Sequence, residues 1–264
     1  MISKFRELFK YRNLLINLTK KELKVKYRGS ILGFFWSLLN PILMTLVYSF
    51  VFSVVMRTGI KEFAVFLISA LLPWNFLANS INLGVGSVVG NSALVKKIYF
   101  PREILPLSII FSNFVNFMLE LVALLIFLAV MRYPFYKILY YLPLVIIVQI
   151  FLVVGMTLIV SSLNVVFRDI QHLVTIFMLV WFFGTPIIYP MSMVPKNFQI
   201  LFIANPMSVI TIFYRNMFYS VKFPELMLFP SLRSILVAVA VSILIFFAGY
   251  FLFKRLEPRF AEEI

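Results

Sequence analysis

The chain has 264 residues, of which 62% are hydrophobic and 13% charged, and its 24 Lys plus Arg outnumber 10 Asp plus Glu for a formal net charge of +14. Soluble domains carry about a quarter charged residues, so this composition, with a mean hydropathy of +1.02, excludes a soluble globular fold and reads as a polytopic membrane protein. With no Cys and one histidine, His172, disulfides, thiolate chemistry and a histidine-based metal site or triad drop out. The basic excess reads as the signal that sets membrane topology, not as a nucleic-acid surface.

Residues 1–29 are expected to form a cytoplasmic amphipathic interface helix. Phe5, Leu8, Phe9, Leu15 and Leu18 can share an apolar side while Lys4, Arg6, Lys10, Arg12, Lys20 and Lys21 stay with water and headgroups. With nine Lys or Arg and no uninterrupted apolar core, the stretch does not read as a cleavable signal peptide. The chain then turns at Gly29-Ser30 into 26 uncharged residues, 31–56. A helix of that length crosses about 30 Å of hydrocarbon with tilt to spare. Gly33, Ser37, Asn40, Met44 and Tyr48 recur at helical steps and form a polar seam along this first span. Pro41 removes a backbone donor, so a kink or local loosening is expected at Asn40-Pro41.

A second span, Phe63 to Gly84, carries Asn75, Asn79 and Asn82 down one face, and Pro73-Trp74 is expected to bend it. In lipid such amides need partners inside the protein, so that face packs on another helix or lines a wet path. Residues 88–104 form a polar-to-basic loop with helix formers in its middle, stopped at Phe100-Pro101. The third span, about 104–131, holds Glu120, the one charged residue deep in any span, on a face with Asn113 and Asn116. A carboxylate there is costly unless paired or protonated. It is either a functional group or a structural hydrogen-bond partner.

The fourth span covers about 139–163. The fifth runs from Leu173 to Tyr189-Pro190 and is rich in aromatics. Residues 197–214 are 18 uncharged residues, yet Asn205-Pro206 in their middle reads as the N-cap and first residue of a new helix. Two short helices at, or dipping into, the outer surface are therefore expected within 191–230. The sixth span is Ser234 to Phe253, so residues 30–264 make an all-α, six-span domain. Six spans put both ends on one side. That side holds 16 Lys or Arg against 8 on the other, so both termini are expected in the cytoplasm.

No GxxxxGK[ST] phosphate loop and no catalytic cluster occurs in the sequence. Proton-coupled transporters string acids and histidines through their spans, whereas Glu120 stands alone. The residues themselves point to a passive conduit whose energy comes from another subunit.

Three runs carry a resemblance: LKVKYRGSILGFFWSLLNPILMTLVYSFVFS, NSALVKKIYFPREILPLS, and RDIQHLV followed by FFGTPIIYP, together about a quarter of the chain. They resemble the permeases of the type-2 ATP-binding-cassette export family, in the polysaccharide branch that exports O-antigen, capsule or teichoic acid. The resemblance implies a homodimeric permease of the cytoplasmic (inner) membrane that binds two ATPase subunits and passes a lipid-linked polysaccharide. It implies no catalytic residue, metal or cofactor in this chain, with ATP and Mg on the partner. The loop holding Asn91, Lys96, Lys97, Ile98, Tyr99, Phe100, Arg102 and Glu103 would be the coupling helix that seats in the ATPase. Phe34, Trp36, Asn40, Tyr48, Phe177, Trp181 and Tyr189 would line the channel, since rings and amides guide sugars without tight binding. The short helices of 191–230 would be outer-face gates. Two alternatives stay open: a permease of the same superfamily for a drug or lipid, and a membrane-bound transferase acting on lipid-linked sugars.

Overall fold

The computed structural model describes residues 9–26 and 28–264, the side chains of Phe34, Ile203 and Pro224 excepted. Lys4, Phe5, Arg6 and Leu8 of the expected interface helix lie outside the described residues. No strand occurs among those described. The helices are α1 (Arg12–Lys26), α2 (Trp36–Ser49, continued by a π-helical turn Phe50–Val55), α3 (Phe63–Gly84), α4 (Ser92–Lys97), α5 (Ile104–Val130) and α6 (Leu142–Val166). They continue as α7 (Ile170–Phe183), α8 (Lys196–Ala204), α9 (Pro206–Arg215, continued by a π-helical turn Asn216–Ser220), α10 (Leu232–Leu256) and α11 (Phe260–Glu263).

Among the described residues, five helices are long and apolar enough to cross a membrane: α2 with its π-turn, α3, α5, α6 and α10. In the center stands α3, 72% of whose most apolar window is buried, against 11% for α2. It packs on α2, α5, α6, α7 and α9. Its apolar positions face the neighbours, and Asn79, Asn82 and Leu83 are left on its open side. The broadest helix pair is α6 with α10, which cross at Gly155 and Gly249. A Cβ on Gly155 would come within 2.6 Å of the Ile245 carbonyl, and one on Gly249 would fall against the carbonyl oxygen of Gly155. Small residues let these backbones touch, the usual basis of close helix pairing in lipid.

Neither expected proline bend interrupts its helix. α2 runs through Pro41, which sits early in the helix and forfeits one backbone bond, and the irregular turn comes later, at Phe50–Val55. α3 runs through Pro73, whose carbonyl accepts from Gln149 Nε2 at 2.7 Å. Tyr214 donates to the same side chain's Oε1 at 2.9 Å, so a buried network joins α9, α6 and α3.

The expected fifth span is only partly helical. α7 has 14 residues, about 21 Å of helix, and gives way to non-helical chain over 184–190. Such backbone is tolerated at membrane depth only inside protein, and Thr185, Pro186, Ile187 and Ile188 are all buried. The following helices meet at a 95° bend between Phe202 and Pro206 and so form a re-entrant pair, or a broken sixth span if counted as one. Asn205 caps α9 by accepting from Met207 N, with Pro206 in its first turn.

Two ends can be told apart. At the end that holds the C-terminal segment, Lys254 pairs with Glu103, and Arg102 binds Glu257 through both its guanidinium and its backbone N–H. At the opposite end, Tyr219 donates to Lys61 O at 2.8 Å, Lys222 pairs with Glu62 at 2.6 Å, and Tyr133 donates to the same carboxylate.

Candidate channel wall and coupling loop

The expected polar seam of α2 is split between two environments. Ser37, Pro41 and Thr45 form the buried side, while Asn40 and Met44 are exposed and Tyr48 is half-buried. A four-residue step repeated on a 3.6-residue helix drifts around the axis, which carries the seam off one face. Of the candidate wall residues, Phe34 has no described side chain. Trp36 and Asn40 are exposed in the first two turns of α2, and Phe177 is exposed on α7.

The other three are engaged within the chain. Tyr48 lies 6.4 Å from the ring of Phe52, which stacks on Phe63 at 5.5 Å. Trp181 meets Trp74 edge-on at 6.0 Å and donates Nε1 to Asn205. Tyr189 donates to Phe183 O, meets Phe202 edge-on at 6.3 Å, and lines a cavity of about 470 Å³ with Phe52 and Phe198. The structure thus groups Tyr189 with Phe52, Phe198 and Phe202, rings that no sequence pattern singled out because they come from three separate apolar runs, Phe198 and Phe202 sharing α8. Asn79 and Asn82, exposed on the otherwise buried α3, belong with Asn40 among the amides left on the open surface.

The loop between α3 and α5 divides in two. Lys96, Lys97, Ile98 and Tyr99 are exposed, Tyr99 at 86%. The remaining four hold the loop to the body. Asn91 accepts from Lys21 of α1 at 3.1 Å and donates to Ser87 O at 2.8 Å. Phe100 is buried, and Arg102 and Glu103 grip the C-terminal segment through Glu257 and Lys254. Phe100, expected among the side chains offered to a partner, is buried: the exposed helix ends at Lys97, earlier than the expected stop at Phe100-Pro101, and the extended chain from Ile98 leads inward to α5. The result is a short basic helix on a braced stem.

Glu120 is half-buried and lines a cavity of about 350 Å³ between α2, α3 and α5, walled by Pro41, Thr45, Val65, Leu72 and Phe127. Its companions Asn113 and Asn116 are buried. Asn113 accepts from Lys26 Nζ at 3.4 Å. Burial lowers the Lys26 ammonium from its ordinary value, and the charge of Glu120 pulls it back up. The polar face of α5 is therefore covered at its start by α1.

Residues 13–219 match the ABC-2 type transporter family. Over 267 aligned residues, covering the whole of both chains, the protein is 36% identical to the O-antigen export system permease protein RfbA of Myxococcus xanthus. It is 32% identical to a protein of the same name from Klebsiella pneumoniae, over 95% of this chain and 94% of that one. The polysialic acid transport protein KpsM of Escherichia coli is 24% identical over 71% of this chain and 74% of its own length. With an all-helical fold of five long apolar helices, and a family match across most of its length, the chain belongs to the ABC-2 type transporter family as an integral-membrane transport component.

Proposed function

We propose that this chain is the permease subunit of an ATP-driven exporter that carries a lipid-linked polysaccharide, O-antigen-like or teichoic-acid-like, across the cytoplasmic membrane. The full-length likeness to proteins named for O-antigen export supports the substrate class. The single structural observation that favours a conduit is the set of exposed amides, Asn40, Asn79 and Asn82, on two helices long and apolar enough to cross the membrane. Amides facing hydrocarbon are costly, and a water-filled path between two copies removes that cost. Exposed Trp36 and Phe177 add rings on which sugar CH faces can slide.

In this reading two copies pair through α2 and α7, and both termini lie in the cytoplasm, on the side with more Lys and Arg. Two ATPase subunits, which carry the ATP and Mg, seat on the exposed Lys96, Lys97, Ile98 and Tyr99. The α8–α9 pair closes the outer mouth until polymer passes. Depletion of the chain in its host tests the proposal. Lipid-linked polymer should build up inside, shielded from an added glycosidase until the inner membrane is permeabilised. Normal surface polymer, with a drug or lipid retained instead, would move the assignment to another cargo.

A further inference from the structure

At the end opposite the C-terminal segment lies a cavity of about 350 Å³, adjoining the aromatic one at Thr58 and Ile60 and bordered by Lys61, Phe66, Ser192, Arg215, Tyr219 and Ser220. Arg215 is 7% exposed. Its Nη2 donates to Ile187 O at 2.8 Å, and its guanidinium lies 3.8 Å over the ring of Phe66. Nε has no hydrogen-bond partner, and no carboxylate pairs with Arg215 among the described residues. The nearby Glu62 is taken by Lys222 and Tyr133. Glu225 borders the cavity but pairs with neither Arg215 nor Lys61 among the described residues.

A strut for one carbonyl needs one donor and no charge. A buried guanidinium with no counter-charge is expensive, and an anion that completes its fork relieves the cost. Tyr219 fixes the Lys61 backbone at the cavity wall by donating to its carbonyl, and the Lys61 ammonium lies 5.9 Å from the centre of the Phe223 ring. The cavity lies within the size range of small-ligand sites. Arginine with a nearby lysine and hydroxyls is the donor set that planar and tetrahedral oxyanions take.

We propose that Arg215 and Lys61 form a binding site for a phosphate-type anion, presented either as a lipid phosphate headgroup or as free phosphate or pyrophosphate. The inference stands apart from the transport reading, since it asks only for an anion at this end of the molecule. The test uses the full chain in dodecyl maltoside, delipidated to below one phosphorus per chain and held at constant ionic strength. Its unfolding temperature is titrated with sodium pyrophosphate, and separately with dihexanoyl phosphatidic acid in mixed micelles. A saturable rise supports the site. A rise with pyrophosphate identifies a soluble ligand, and a rise with phosphatidic acid alone identifies a headgroup. Arg215→Gln keeps a donor for Ile187 O and should abolish the rise. Lys61→Gln, at an exposed position, should weaken apparent affinity about tenfold, as loss of one charged hydrogen bond does. No saturable rise with either probe, or an undiminished one in Lys61→Gln, overturns the proposal even if Arg215→Gln fails to fold.

Discussion

Trp181 Nε1 donates to Asn205 Oδ1 at 3.0 Å, and this bond joins the last turn of α7 to the first of α9. The same amide accepts from Met207 N at 3.0 Å and donates to Gly184 O at 3.1 Å and Thr185 Oγ1 at 3.0 Å. Gly184 is where α7 stops, and backbone groups freed there cannot look to lipid for partners. Asn205 meets that need from the start of α9, and Arg215 meets it at Ile187 from the other end of the same helix. The re-entrant pair and the broken span are thus one unit, each supplying what the other's backbone lacks.

Asn205→Ala should therefore cost more than a lost helix cap. A cap alone is worth about 1 kcal/mol, and the stranded Gly184 carbonyl and Trp181 indole add to it, for about 2–4 kcal/mol in all. Asn205→Ser keeps the cap acceptor for Met207 N and loses the bonds to Trp181, Gly184 and Thr185, so it should fall between. Thermal unfolding in nanodiscs, with tryptophan fluorescence as the readout, gives the order. Equal loss in both variants would contradict the shared-amide account.

The second span is expected at Phe63 to Gly84 and found there, because its charged flank at Glu62 and its apolar run agree with its tertiary role. The Asn205-Pro206 signal was also legible, since cap and first-turn proline are local chemistry. The end of α7 at Phe183 was not. Composition does not distinguish helix from extended chain when the extended chain is satisfied by Asn205 and Arg215, 20 or more residues away. The seam on α2 failed for another reason. Spacing tells which residues share a stripe, but not which part of the stripe meets α3 and which is left open. In the loop between α3 and α5, the exposed basic helix was readable, whereas the grip of Glu257 and Lys254 depends on a contact 155 residues away in sequence.

Gly249→Ala should destabilise the chain by about 1–3 kcal/mol, because the new methyl meets the Gly155 carbonyl oxygen and the helices must part. Gly155→Ala should do the same against Ile245 and Phe246. Once either substitution has separated α6 from α10, the second has less to disturb, so the pair should cost less than the sum. Unfolding of the four proteins in one detergent checks this. Full additivity would mean that the two glycines do not share one contact.

Reversing both exposed lysines, Lys96→Glu with Lys97→Glu, should weaken co-purification of the proposed ATPase partner and leave unfolding temperature within about 1 °C, since both side chains face solvent. Arg102→Ala is the contrasting case. It removes the guanidinium from Glu257 O, loosens the stem and should lower both stability and association. An intact complex after the lysine reversal would remove Lys96 and Lys97 from the coupling surface.

Lys26 and Glu120 set the last expectation. The ammonium of Lys26 is partly buried against α5, donates to Asn113 and feels the Glu120 charge. Desolvation works against Lys26 and attraction by Glu120 works for it, so neither residue should be judged by its own removal. Lys26→Met removes the buried charge and also the bond to Asn113. Glu120→Gln leaves Lys26 buried without its nearby anion, and should loosen α1 from α5 more than the first change does. The double variant should recover part of that loss, because no uncompensated cation remains. Trypsin cleavage after Lys20 and Lys21 reports directly on whether α1 is docked, since a bound helix is a poor protease substrate. The expected order of cleavage is slowest in the parent, faster in Lys26→Met and the double variant, and fastest in Glu120→Gln. If Glu120→Gln cleaves no faster than the parent, the carboxylate does not hold the interface helix, and its place on the cavity wall beside Thr45 becomes the feature to explain.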